Sequence, residues 1–123
     1  IGLGTAVNWI EEIGYNTITS HENELLVYGT RVLSELESVT LIGTAPEKCS
    51  ILAFTVKDIH PHDIGTILDN SGVAIRTGNH CAEPLMRRFG LSATCRASLS
   101  IYNTTEDIDA LADGIKESIR LLG

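Results

Sequence analysis

Ile75-Arg76-Thr77-Gly78-Asn79-His80-Cys81-Ala82-Glu83-Pro84 is the stretch from which the rest of the chain can be placed. Apolar runs flank it on both sides, so it reads as a short loop that leaves a strand and enters a helix. An arginine, a glycine, a histidine and a cysteine stand together in it, and Pro84 follows at once. Loops held on a rigid scaffold are where reactive groups concentrate. A cysteine is by default a buried small hydrophobe. Arg76 and His80 argue the other way here, because positive charge near the sulfur favours thiolate.

Working outward, Val73 to Arg76 is expected to be a brief strand feeding the loop, and Pro84 to Phe89 a short helix closed by Gly90. Beyond it, Thr94 to Ile101 alternates: Cys95, Ala97, Leu99 and Ile101 face one side, and Thr94, Arg96, Ser98 and Ser100 the other. Upstream, His60-Pro61-His62-Asp63 reads as a helix start with Pro61 at the first helical position. Ile64, Ile67 and Leu68 supply its apolar face, and Asn70-Ser71-Gly72 ends it. Ser50 to Val56 reads as a buried strand and Val39 to Ile42 as a shorter one, with a turn from Gly43 to Lys48. Thr19 and Glu22 read as a capping box that opens a helix running to about Glu37. Leu3, Ala6, Val7, Ile10 and Ile13 mark an earlier amphipathic helix closed by Gly14. Trp9 lies off that stripe and reads as packing or a docking surface.

Ile108, Leu111, Ile115, Ile119 and Leu122 form the stripe of a last helix, acidic at its start and basic at its end, as the helix dipole favours. Tyr102-Asn103-Thr104 reads as the turn and cap that lead into it. Helices and strands interleave with short connections, so the class is α/β (or α+β): one sheet with helices packed on it.

Bulk properties narrow the function. A chain of 123 residues makes one domain with one sizeable core. At 43% hydrophobic and 20% charged its composition is that of a globular domain. The net charge of −7, with no basic run, makes nucleic acid and anionic membranes poor partners. No apolar run is long enough to cross a bilayer, and no secretory signal pattern opens the chain. Three cysteines (Cys49, Cys81 and Cys95) without CxxC spacing fit neither a disulfide framework nor a structural zinc site. A reducing compartment fits best, so a cytoplasmic location is expected, or an organelle if the source is eukaryotic. The chain opens at Ile1 inside what reads as a helix, and is expected to be part of something longer.

Arg96 stands mid-strand among apolar neighbours, where a charge needs a partner. Two readings are open: a structural salt bridge, or a fork that grips a carboxylate through two hydrogen bonds. His60 and His62 are spaced for capping rather than for a metal, and no metal site is expected. Cys49 and Cys95 read as core. Gly78 lacks the companion glycines of a phosphate loop.

The runs Arg76-Thr77-Gly78-Asn79-His80-Cys81-Ala82, Pro84-Leu85-Met86, Cys95-Arg96-Ala97-Ser98 and Tyr102-Asn103-Thr104 closely resemble the C-terminal part of Suf-type (group II) cysteine desulfurases. These are pyridoxal-phosphate enzymes of the class V aminotransferase group, and the similarity runs from Leu3 to Leu122. Asn79 departs from it, standing where the family frequently has a histidine.

The resemblance implies the small C-terminal domain of a fold-type I enzyme, a largely antiparallel small sheet covered by helices, over residues 1–123. It implies Cys81 as nucleophile, attacking the sulfur of cofactor-bound L-cysteine to leave a persulfide and release alanine. Arg96 would clamp the substrate carboxylate, with Arg76 close by, and His80 and Asn79 would position the loop or move protons. The cofactor, pyridoxal 5'-phosphate, would be held by a lysine of a large domain. Lys48, Lys57 and Lys116 do not match the family's lysine motif, so that domain would lie outside this chain, which alone would not turn over L-cysteine. A SufE- or SufU-like protein would accept the sulfur for iron–sulfur cluster assembly, and the whole enzyme would be a homodimer. Selenocysteine lyase, which uses similar parts, and a stand-alone persulfide carrier are the alternatives.

Overall fold

The computed structural model describes residues 1–123. Five helices and four strands follow in the order α1 (Gly2–Ile13), α2 (Tyr15–Ser34), β1 (Val39–Ile42), β2 (Ile51–Val56), α3 (Pro61–Asn70), β3 (Arg76–Gly78), α4 (Glu83–Phe89), β4 (Thr94–Ser98) and α5 (Thr105–Leu122). The strands form one antiparallel sheet in the order β1-β2-β4-β3. Between β2 and β3 the chain crosses over through α3, leaving room for β4 to enter between them, which is a split β-α-β arrangement. The expected class, a small antiparallel sheet covered by helices, is the one observed.

The alternation of β2 decides which face is covered. Leu52, Phe54 and Val56 are buried, and the residues between them only half-buried. Leu33 of α2, Ile64 and Leu68 of α3, Cys95 and Ala97 of β4, and Leu111 and Ile115 of α5 complete this core. Helices α2, α3 and α5 therefore lie on one face. Its opposite carries Ala53, Thr55 and Arg96, all half-buried, and Arg76, which is exposed.

Several boundaries differ from expectation, each for a local reason. Gly14, at φ +88°, interrupts the helix for a single residue, so α2 starts at Tyr15. Thr19 and Glu22 consequently lie inside α2 and form no capping box; the Glu22 carboxylate accepts instead from Ser50 Oγ at 2.7 Å. The helix ends at Ser34 rather than near Glu37, because the Leu36 N–H turns tightly back onto Leu33 O at 3.2 Å. Gly72 (φ +79°) closes α3 with a Schellman motif, Val73 N–H bonding Leu68 O at 2.9 Å and Gly72 N–H bonding Asp69 O at 3.0 Å. Val73 is thereby taken out of strand pairing, and β3 begins only at Arg76. Downstream, Asn103 Oδ1 accepts the Ser100 N–H at 2.9 Å, which stops β4 short of Ile101. Cys49, expected in the core, is exposed: Ile51 N–H bonds Cys49 O at 2.7 Å, and this tight turn keeps the thiol outside the strand. Trp9 packs on Tyr102 with ring centroids 6.0 Å apart and planes at 7°. Leu122, at the end of the predicted stripe of α5, is exposed.

Candidate active site

β3 and β4 pair so that Arg76 lies directly opposite Arg96. Opposed residues of an antiparallel pair project from the same face, here the one turned away from the helices. Two like charges so placed repel, and sheets normally avoid this unless an anion offsets it. No carboxylate of the chain does so. The four ion pairs are Arg31–Glu35, Arg87–Glu83, Lys116–Asp113 and Arg120–Glu117, each local to one helix. A structural salt bridge on Arg96 is therefore not formed, and its buried Nε has no hydrogen-bond partner. An unpaired buried donor costs about 1–3 kcal/mol, a cost that nothing within the chain offsets at Arg96 Nε.

The loop after β3 is built from unusual backbone. Gly78 takes φ +130°, which a glycine accommodates readily. His80 (φ 53°) and Cys81 (φ 57°) then both sit in the left-handed region that side chains disfavour. The Ala82 N–H bonds Asn79 O at 2.9 Å, closing a turn around these two residues. Asn79 Oδ1 accepts the Cys81 N–H at 3.1 Å, so the asparagine side chain braces the turn from within. Left-handed residues without glycine cost about 1–3 kcal/mol each and persist where their surroundings over-determine them. Here the surroundings present an exposed thiol, Cys81, just ahead of α4.

His80 ties this turn to the sheet. Its Nε2 lies 3.0 Å from Thr94 Oγ1 and 3.2 Å from Thr94 O. Its Nδ1 is buried and unpartnered. His80 Nδ1 and Arg96 Nε are the only two buried side-chain nitrogen or oxygen atoms of the chain without a partner, and both belong to this site.

The other predicted residues fall elsewhere. Cys95 is in the core, where its Sγ donates to Pro61 O at 3.8 Å and burial pushes its thiol up to about 12. His60 caps α3, its Nδ1 accepting the His62 N–H at 3.2 Å. Of the lysines, Lys48 donates to Gly43 O at 3.1 Å, Lys116 pairs with Asp113, and Lys57 is exposed in the turn after β2. None fits the buried Schiff-base lysine that pyridoxal phosphate requires. Thr94 was not singled out from sequence; the alternation that put it on the Arg96 face was the available signal. The cleft between Gly72–Ile75, β4 and α5 encloses about 310 Å³ and is lined by neither Arg76, Arg96 nor Cys81.

Comparison with known proteins bears on this geometry. The family model of the class-V aminotransferases matches residues 1–111. A probable cysteine desulfurase of Halalkalibacterium halodurans is 48% identical over 124 aligned residues, covering 100% of this chain and 30% of that protein. A cysteine desulfurase of Synechococcus elongatus is 46% identical, covering 94% of this chain and 18% of its own length. Among solved structures, the apo cysteine desulfurase of Thermococcus onnurineus superposes with a TM-score of 0.92 at 34% identity, over 98% of this chain and 30% of that one. The S-sulfonic acid form of Escherichia coli cysteine desulfurase CsdA gives 0.91 at 31% identity, over 99% and 30%. The chain thus spans less than a third of the length of these relatives.

Proposed function

The chain belongs to the class-V aminotransferase family, and on that premise we propose that it is the C-terminal small domain of a Suf-type cysteine desulfurase. In this reading Cys81 is the nucleophile. The net change is Cys81–SH plus L-cysteine giving Cys81–S–SH plus L-alanine, with the sulfur taken up as a persulfide. Thiolate is the strongest side-chain nucleophile near neutral pH, and an exposed thiol on a braced turn can meet both a substrate and an acceptor protein. Arg96 holds the substrate carboxylate through its fork, and Arg76, directly opposite, adds a second positive charge. His80 and Asn79 fix the direction in which Cys81 is presented.

One observation carries this reading: the only unpaired buried side-chain polar atoms, Arg96 Nε and His80 Nδ1, lie on β4 and in the Cys81 turn that Thr94 ties to it. A domain folded for its own stability alone would satisfy such atoms.

Pyridoxal phosphate is held by another domain of the enzyme in this proposal, since no lysine here fits it. This chain by itself therefore turns over no L-cysteine. A SufE- or SufU-like protein takes the sulfur on toward iron–sulfur clusters, in the cytoplasm, and the enzyme acts as a homodimer. No helix is long and apolar enough to cross a membrane.

The test is Cys81→Ala in the cofactor-loaded enzyme that contains this chain. Alanine production from L-cysteine should fall to background, with the fold and cofactor absorbance unchanged. Alanine release at the wild-type rate would overturn the assignment.

A further inference from the structure

Thr94 is the one buried residue that grips the turn, and no role above has been given to it. It is only 2% exposed, and it opens β4 two positions before Arg96 on the same sheet face. Across the strand it faces Gly78, the last residue before the turn leaves the sheet. Both its carbonyl and its hydroxyl reach the same atom, His80 Nε2.

That double contact has a chemical consequence. A carbonyl oxygen can only accept, so a hydrogen bond to Thr94 O requires the hydrogen on Nε2, with the Thr94 hydroxyl accepting beside it. In the neutral ring the other nitrogen, Nδ1, then holds the lone pair. Which nitrogen of a histidine is protonated is set by the bond the ring makes on its far side. Nδ1 is the buried nitrogen without a partner.

We propose that Thr94 is a positioning residue: through Nε2 it locks His80 in the Nε2–H tautomer, leaving Nδ1 as a fixed, buried hydrogen-bond acceptor in the turn that presents Cys81. The same contact clamps the strained turn to β4, so ring and thiol keep one orientation. This proposal rests on the reading of Cys81 as the nucleophile, but its first measurement does not. The carbonyl alone would leave the ring free to pivot. The hydroxyl, at 3.0 Å, is the second point that fixes it.

The experiment uses the cofactor-loaded enzyme labelled with ¹⁵N-histidine, with His80→Gln to assign the signals. Wild type should show the neutral His80 ring as the Nε2–H tautomer; an Nδ1–H ring overturns the proposal whatever the variants do. Thr94→Val keeps the shape and the carbonyl but removes the hydroxyl. It should keep the Nε2–H tautomer, which the carbonyl sets, but slow Cys81 alkylation by iodoacetamide about fivefold, the worth of one neutral hydrogen bond, and lower kcat with KM little changed. Thr94→Ser should restore both rates. A wild-type alkylation rate in Thr94→Val would refute the role, and failure of Thr94→Ser to rescue would reduce Thr94 to packing. Should the enzyme release no alanine from L-cysteine at all, the functional reading fails while the tautomer measurement still decides this one.

Discussion

Arg96 and Arg76 oppose each other across a strand pair with no acidic neighbour, at a cost that a purely structural sheet would have avoided. Arg96→Ala should weaken binding of L-cysteine to the whole enzyme by about 2–4 kcal/mol, the worth of a charge-assisted bidentate contact. Arg96→Lys keeps the charge but not the fork and should recover only part of this. Titration with the substrate reads both, and an unchanged affinity in Arg96→Ala would remove the carboxylate from this site. The sequence alone left a salt bridge and a substrate fork equally open for Arg96, because alternation gives the face of a residue but not what lies across the strand. The cysteines divide along the same line. Cys95 was legible as core from alternation, and its burial has a titration consequence. Its thiol is raised from an ordinary 9.0 to about 12 by desolvation, so the neutral form is favoured in the folded state. The stability this contributes is complete below about pH 9 and is lost as pH climbs toward 12. Native alkylation at pH 8 should therefore label Cys81 and Cys49 and spare Cys95, with Cys95 appearing only on unfolding; labelling of Cys95 in the folded protein would contradict its burial.

Among the elements, α5 shows a helix end legible in sequence and confirmed in detail. The Thr104 N–H donates to Asp107 Oδ2 at 3.1 Å, and Asn103 Nδ2 donates to the same oxygen at 3.1 Å. These bonds, the Asn103 amide first and the Thr104 backbone second, hold the Asp107 carboxyl below its usual 3.8. The stabilisation is present above that ordinary value and is lost as pH falls through the lowered one. Asp107→Ala should destabilise the chain by at most about 1 kcal/mol, since the carboxylate stands in solvent. In denaturant titrations the gap from wild type should close as the pH is brought progressively below the ordinary 3.8; a gap that persists once the carboxyl is protonated would mean Asp107 acts by packing. Elements whose ends are set by non-local partners were less legible. Val73 to Arg76 has the apolar pattern of a strand, but the Val73 N–H was already committed to closing α3. Thr19 and Glu22 have the spacing of a cap, but Gly14 had restarted the helix at Tyr15, five residues before the start that a cap at Thr19 would give. In both cases a positive-φ glycine, which has no apolar signature, decided the boundary.

At the scale of the whole molecule, cohesion is distributed unevenly. β2 and β4 are the central strands, and their inward residues Leu52, Phe54 and Cys95 are fully buried beneath α2, α3 and α5. By contrast α1 has no buried residue, and its stripe, legible in sequence as amphipathic, leaves Leu3 80% and Val7 41% exposed. Periodicity announced the helix correctly but carries no information on which surface receives it, and within this chain the core receives none of it. The Trp9–Tyr102 stack is the side-chain anchor that ties α1 to the body of the domain. Apolar helix faces left in water contribute little to holding a helix in place, because most helical stability in proteins comes from packing that face. Opening α1 should then cost far less than global unfolding. Hydrogen exchange on this chain should find the α1 amides exchanging through local opening, insensitive to low denaturant, while β2, β4 and α5 exchange only with global unfolding. Tyr102→Ala, by removing the stack, should speed α1 exchange further and leave β2 and β4 unchanged. Equal protection in α1 and β2 would show that α1 is bound into the same cooperative unit, and that one aromatic contact with its half-buried neighbours suffices to hold it there.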